Sequence, residues 1–83
     1  MDKNELRVYY HDPSSVLVVN PKGQMRKLYT PFRVLCNKTV NHFLVKDAWV
    51  YVDEVKTNRN DHLIFVVNGR PYTYQYFQIH INF

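Results

Sequence analysis

Short runs rich in Val, Tyr, Phe and Ile, cut every few residues by Asn, Asp, Pro or Gly, fill this chain. No window of useful length places apolar residues at i, i+3, i+4 and i+7, the spacing of a helix face. Alternate side chains lie on one face of a strand, so the pattern predicts an all-β fold. Its sharpest point is Asn68-Gly69, set between Ile64-Phe65-Val66-Val67 and Arg70-Pro71-Tyr72-Thr73. Both central residues of a type I′ turn need positive φ, and Asn-Gly is the favoured pair. A tight hairpin is predicted there.

The other runs are placed by their breakers. Residues 6–11 form a first strand, ended by Asp12-Pro13-Ser14-Ser15. Residues 16–20 form a second, closed by a tight turn at Pro21-Lys22-Gly23, where Gly23 can take positive φ. Residues 24–36 form a third run. Pro31 inside it cannot donate to a ladder and marks a break, a bulge or an edge. Asn37-Lys38-Thr39 turns the chain again. Strands are predicted over 40–45 and 48–55, with Lys46-Asp47 as a turn or bulge between them. Val50 and Val52 then face one way and Trp49 and Tyr51 the other. The rhythm slips at Asp53-Glu54, which predicts a β-bulge. Residues 57–61 are a polar turn. Residues 63–67 are apolar on both faces and read as a central strand. Residues 74–76 are compatible with a short 3₁₀ turn, and Phe77, Ile79, Ile81 and Phe83 alternate with polar neighbours as a last strand.

Eighty-three residues make one domain. The sequence is 46% hydrophobic and 16% aromatic, which favours folding over disorder. With no helix to cover a sheet, curling is the economical way to bury one face. The expected architecture is a small, strongly bent β-barrel of five to six antiparallel strands. The layout of hairpin, 3₁₀ turn and short closing strand resembles an SH3-like barrel over residues 31–83, with an OB-like barrel as the alternative. The chain also resembles short bacterial all-β proteins of this type through Pro31-Phe32-Arg33-Val34, Trp49-Val50-Tyr51-Val52-Asp53-Glu54-Val55 and Asn68-Gly69-Arg70-Pro71-Tyr72. That resemblance implies a fold and carries no activity with it.

Charge is unevenly distributed. Residues 13–46 hold six basic residues, Lys22, Arg26, Lys27, Arg33, Lys38 and Lys46, and no acid. A stretch of one sign can attract an anionic partner. Lys22, Arg26 and Lys27 flank one turn and are expected to cluster. Arg33 should point to solvent, opposite Phe32 and Val34. With Arg70 these are the candidate nucleic-acid-binding residues. An equally physical reading is a solvated face on a protein of formal net charge +4.

If residues 72–76 are extended, Tyr72, Tyr74 and Tyr76 share a face, with His80 continuing it. Such rings can stack on bases or cover a sheet flank. They can also contact a protein, and Trp49 with Tyr51 would extend that patch. The leading expectation is a non-enzymatic module that binds a protein partner or a second copy of itself. The nucleic-acid reading, using the basic residues and the same tyrosines, stands second.

Chemistry is sparse. His11, His42, His62 and His80 stand at no metal-ligand spacing from one another or from Cys36, and no metal or cofactor is expected. His11-Asp12 and Asp61-His62 are adjacent pairs, and strand neighbours point to opposite faces, so no acid–base pair is expected. Cys36 alternates with Phe32 and Val34 and is expected to be an inert core thiol. The sequence has no Gly-rich phosphate loop and no GxSxG or HExxH motif. A lone cysteine fits a reducing compartment. The charged start Met-Asp-Lys-Asn-Glu carries no apolar segment behind it, and no apolar run is long enough to span a bilayer. A cytoplasmic protein without membrane contact is expected.

Overall fold

The computed structural model describes residues 6–83; the charged segment 1–5 lies outside them. The described chain is all-β. Nine strands run in order: β1 (Arg7–Asp12), β2 (Ser15–Val19), β3 (Met25–Tyr29), β4 (Phe32–Cys36), β5 (Trp49–Val52), β6 (Glu54–Thr57), β7 (Leu63–Val67), β8 (Arg70–Thr73) and β9 (Phe77–Ile79). A single 3₁₀ turn, Tyr74–Tyr76, precedes β9. The strands pair antiparallel in three sheets of three, ordered β1-β2-β3, β5-β4-β9 and β6-β7-β8.

The expected closed barrel is not what these sheets form. None of the three closes on itself. They are tied at their margins instead. The Val55 N–H donates to the Pro13 carbonyl at 2.9 Å, joining β6 to the β1–β2 turn. The Asn37 N–H donates to the Tyr76 carbonyl at 2.7 Å, joining the end of β4 to the 3₁₀ turn.

The slip at Asp53-Glu54 has a larger consequence than a bulge. There the chain leaves the β5-β4-β9 sheet and enters the β6-β7-β8 sheet. Val52 and Val55, on either side of the corner, are both fully buried. Two inward residues separated by two polar ones are what a strand crossing between packed sheets requires. The Asp53 N–H donates to the Val66 carbonyl at 2.8 Å and fixes the corner.

Phe65 on β7 is fully buried and lies against Phe32 from β4, Tyr74 from the 3₁₀ turn and Phe77 from β9. The ring centroids are 5.5, 6.4 and 5.9 Å away respectively, edge-on or tilted as aromatic quadrupoles prefer. Val16 and Val18 from β2 complete the core from the first sheet. Cys36 is buried in it, as its alternation with Phe32 and Val34 predicts.

The Asn68-Gly69 turn has φ of 53° and 76° and pairs Val67 with Arg70, the expected tight hairpin. Pro31 breaks the third run into β3 and β4, with a cis Thr30–Pro31 bond between them.

Two elements differ from expectation. Residues 40–45 form no strand, and 41–44 are a run of bends. The Asn41 side-chain carbonyl accepts the N–H groups of Phe43 and Leu44 at 2.8 and 2.9 Å, and the Val40 N–H closes onto the Leu44 carbonyl at 2.8 Å. Local bonds of this kind outcompete a ladder. They leave Leu44 buried as a plug on the core while Val40, Phe43 and Val45 are exposed. The last strand is also shorter than its alternation suggests. It pairs with β4 from Phe77 to Ile79 and no further; Ile81 is half-buried and Phe83 is exposed. Beyond that point the chain turns toward β3, where the Arg26 guanidinium donates to the Asn82 carbonyl.

Candidate interaction surface

The alternation in β5 sends Val50 and Val52 inward and leaves Trp49 and Tyr51 on the outer face, 47% and 58% exposed. On the neighbouring β4 the same rule sends Phe32, Val34 and Cys36 inward and Arg33 outward. The register sets Arg33 opposite Tyr51 and Leu35 opposite Trp49. The Arg33 guanidinium then reaches diagonally over the indole, 4.5 Å from its centroid. The His80 ring also stands edge-on to Trp49, at 5.5 Å. Trp49 is thus in contact with both a cation and an imidazole on an exposed sheet face. An exposed cation–π pair of this type contributes roughly 0.5–1 kcal/mol, enough to favour one indole orientation.

The other sequence candidates lie elsewhere. Residues 72–76 are not one extended ladder, because the 3₁₀ turn interrupts the strand after Thr73. Tyr72, Tyr74 and Tyr76 are half-buried and pack against the core. Tyr74 lies on Phe65 and Tyr72 on Phe77; the Tyr72 hydroxyl accepts a hydrogen bond from Asn41 at 3.0 Å. Lys38 stands over Tyr76 at 4.9 Å.

Nor do the basic residues gather on one surface. Lys22 sits in the turn after β2, where the Asn20 side chain accepts its N–H at 3.0 Å. Arg26 and Lys27 are strand neighbours and point to opposite faces of β3. Arg33 belongs to the Trp49 face, and Arg70 stands 5.8 Å from the Phe43 ring. Among the described residues no Lys or Arg is in salt-bridge contact with a carboxylate; Lys27, Arg33, Lys38 and Arg70 each lie over an aromatic ring instead.

His11 and Asp12, expected to diverge, come together. The ladder between β1 and β2 shifts between Tyr10 and Asp12, so His11 leaves the alternation. His11 Nδ1 is 3.0 Å from both Asp12 Oδ2 and Ser15 Oγ. Asp12 Oδ1 accepts the Ser15 hydroxyl at 2.9 Å and the Ser14 N–H at 2.8 Å. These bonds, that from Ser15 foremost, hold the Asp12 carboxyl below its ordinary range. The group resembles a nucleophile–base–acid set only in composition. Ser15 is fully buried and donates to the carboxylate, and both partners crowd one ring nitrogen. The arrangement caps a turn. Asp61-His62 also lies in a turn, closed by Asn58, whose side-chain oxygen accepts the His62 N–H at 3.0 Å.

Burial pushes the Cys36 thiol up, away from the reactive thiolate. No cluster of three or more His, Cys, Asp or Glu side chains occurs among the described residues. A cavity of about 550 Å³ opens beside the 20–24 turn, lined by Leu6, Lys22, Ile79, Ile81 and Phe83 among others. Its lining mixes Leu6, Ile79, Ile81 and Phe83 with the polar Asn20, Lys22, Gln24, His80 and Asn82, and the Asn20 and Gln24 side-chain amides are already bonded to each other at 2.8 Å.

Sequence reasoning missed the outward face of the first sheet, where Tyr9, Met25 and Tyr29 are exposed. The signal was present as alternation, Arg7 and Tyr9 in one run and Met25, Lys27 and Tyr29 in another. Nothing in the sequence says that the two runs flank the same strand. No helix among the described residues is long and apolar enough to cross a membrane. No protein-family model, no curated protein and no solved structure matches the chain, so its geometry alone carries a functional reading.

Proposed function

We propose that this domain is a non-enzymatic interaction module that docks a protein, a second copy of itself included, on the outer face of the β5-β4-β9 sheet. The observation that carries this is Arg33 stacked on Trp49 beside an exposed Tyr51. Trp, Tyr and Arg are the residues enriched at energetic centres of protein interfaces. Here all three project from paired strands, and the Arg33–Trp49 stack already orders two of the side chains, which lowers the cost of docking. The order of hairpin, 3₁₀ turn and short last strand supports an SH3-like reading of the architecture over an OB-like one. The lone buried Cys36 favours a reducing, cytoplasmic setting.

The test uses sedimentation equilibrium at high protein concentration, together with retention of proteins from the native extract on immobilised domain. Soluble wild type should compete that retention. Trp49→Ala should weaken self-association or competition by about 30-fold, the effect of a hot-spot residue worth about 2 kcal/mol. Its melting curve should stay close to wild type, because Trp49 is half exposed. A monomer at every concentration with no competed retention, or association indifferent to Trp49→Ala, overturns the proposal.

A further inference from the structure

We infer that the outer face of the β1-β2-β3 sheet is a stacking platform for single-stranded nucleic acid. It lies on a different sheet from the Trp49 surface, and its test is independent of that one. Register builds it in three rows: Arg7–Val19–Met25, Tyr9–Leu17–Lys27 and Asp12–Ser15–Tyr29. The opposite face of the same sheet carries Val8, Val16, Val18 and Leu28, all within or against the core. The outer face is unpartnered among the described residues. Met25 is 66%, Tyr29 65% and Tyr9 48% exposed. On β2 between the two tyrosines lie the half-buried Leu17 and the fully buried Ser15, and Val19 extends the floor toward Arg7 and Met25.

Charge decides the occupant. Arg7 and Lys27 are the face's cations, and among the described residues neither is in salt-bridge contact with a carboxylate. The one acid of the face among the described residues, Asp12, sits in the row farthest from Arg7 and is occupied by Ser14, Ser15 and His11. The Lys27 ammonium lies 5.8 Å from the Tyr29 ring centroid, so cation and ring are presented together. A ligand that fits offers flat rings for Tyr9 and Tyr29 and negative charge for Lys27 and Arg7. Single-stranded nucleic acid does both, its bases stacking on the rings while its phosphates meet the cations. A duplex keeps its bases stacked on one another, and this sheet presents no helix to enter a major groove. Tyr9 and Tyr29 lie on the two outer strands, one row apart, which strand spacing and rise put at about 12 Å, within reach of one extended oligonucleotide.

The experiment is fluorescence anisotropy with labelled oligo-dT and oligo-rU of twelve nucleotides, titrated with the full chain between 20 and 200 mM salt. Each phosphate contact contributes about −0.7 to the slope of log K against log salt for a single strand. The expected slope is steeper than about −1, and Lys27→Gln or Arg7→Gln should each flatten it by about 0.7. Tyr9→Ala and Tyr29→Ala should each weaken binding on the order of 5- to 150-fold, and Tyr→Phe at either position should restore it. Absence of binding at 20 mM salt overturns the inference. So does a duplex, or polyglutamate, bound or competing as well as the single strand, or binding untouched by the tyrosine substitutions. Circular dichroism melts of each variant separate loss of binding from loss of fold.

Discussion

At the residue scale, Asp12 shows how one side chain can hold a strand end. Its carboxylate accepts from Ser14 and Ser15 and faces His11, and these bonds favour its charged form. A carboxyl whose folded value is depressed contributes stability above its unfolded value, and loses it as pH falls through the folded one. Asp12→Asn keeps the shape and removes the charge. We expect it to melt below wild type at neutral pH, with the gap closing as acidification passes below the ordinary carboxylate range. Thermal melts at stepped pH check this, and a gap that persists at the acid end refutes it. Adjacency in the sequence pointed the other way, because strict alternation would have sent His11 and Asp12 to opposite faces. The irregular register at that point depends on pairing with β2, and pairing is not written in residues 11 and 12. Trp49, Tyr51 and Arg33 were legible as outward residues, since their neighbours are Val and Phe on strict alternation.

At the element scale, local chemistry settled some turns and tertiary chemistry others. The Asn68-Gly69 turn needs positive φ at both residues whatever surrounds it. Nothing lies within 4 Å of a Cβ built at Gly69, so a side chain there meets strain without a clash. Gly69→Val should therefore cost about 1–2 kcal/mol, the penalty of a left-handed conformation. A urea midpoint unchanged from wild type would refute the assignment. Residues 40–45 are the contrary case. Val40, Phe43 and Val45 have strand composition, yet Asn41 bonds to its own neighbours and Leu44 turns inward. If Leu44 is the plug of that loop, Leu44→Ala should lose about 2–5 kcal/mol, as a fully buried leucine does. A loss under 1 kcal/mol in denaturant titration would show that the loop contributes no core. Composition could not separate the two outcomes, because one exposed and one buried apolar residue look alike in a short run.

At the scale of the whole molecule, two sheets meet on one aromatic centre, and the first sheet adds Val16 and Val18 to the same core. Phe65, from the β6-β7-β8 sheet, contacts β4, β9 and the 3₁₀ turn, so neither of those two sheets can open without uncovering it. The domain should unfold in a single cooperative step. Far-ultraviolet circular dichroism follows all three sheets and Trp49 fluorescence follows β5; their urea transitions should coincide. Phe65→Ala should lower stability by about 3–5 kcal/mol, as judged from the same two probes. Two separated transitions would show that the sheets fold as independent units.

The residues themselves determined the period of two, the breaks at Pro31 and Asn68-Gly69, and the inward course of Val34, Cys36 and Val52. Each of these follows from dihedral limits or from side-chain direction within a few positions of the chain. Tertiary structure decided which strands pair, that β5 and β6 part company at Asp53, and that Arg7, Tyr9, Lys27 and Tyr29 come to one face. Alternation states which side a residue takes. The neighbour on that side is chosen by burial and by hydrogen bonds between segments far apart in the chain.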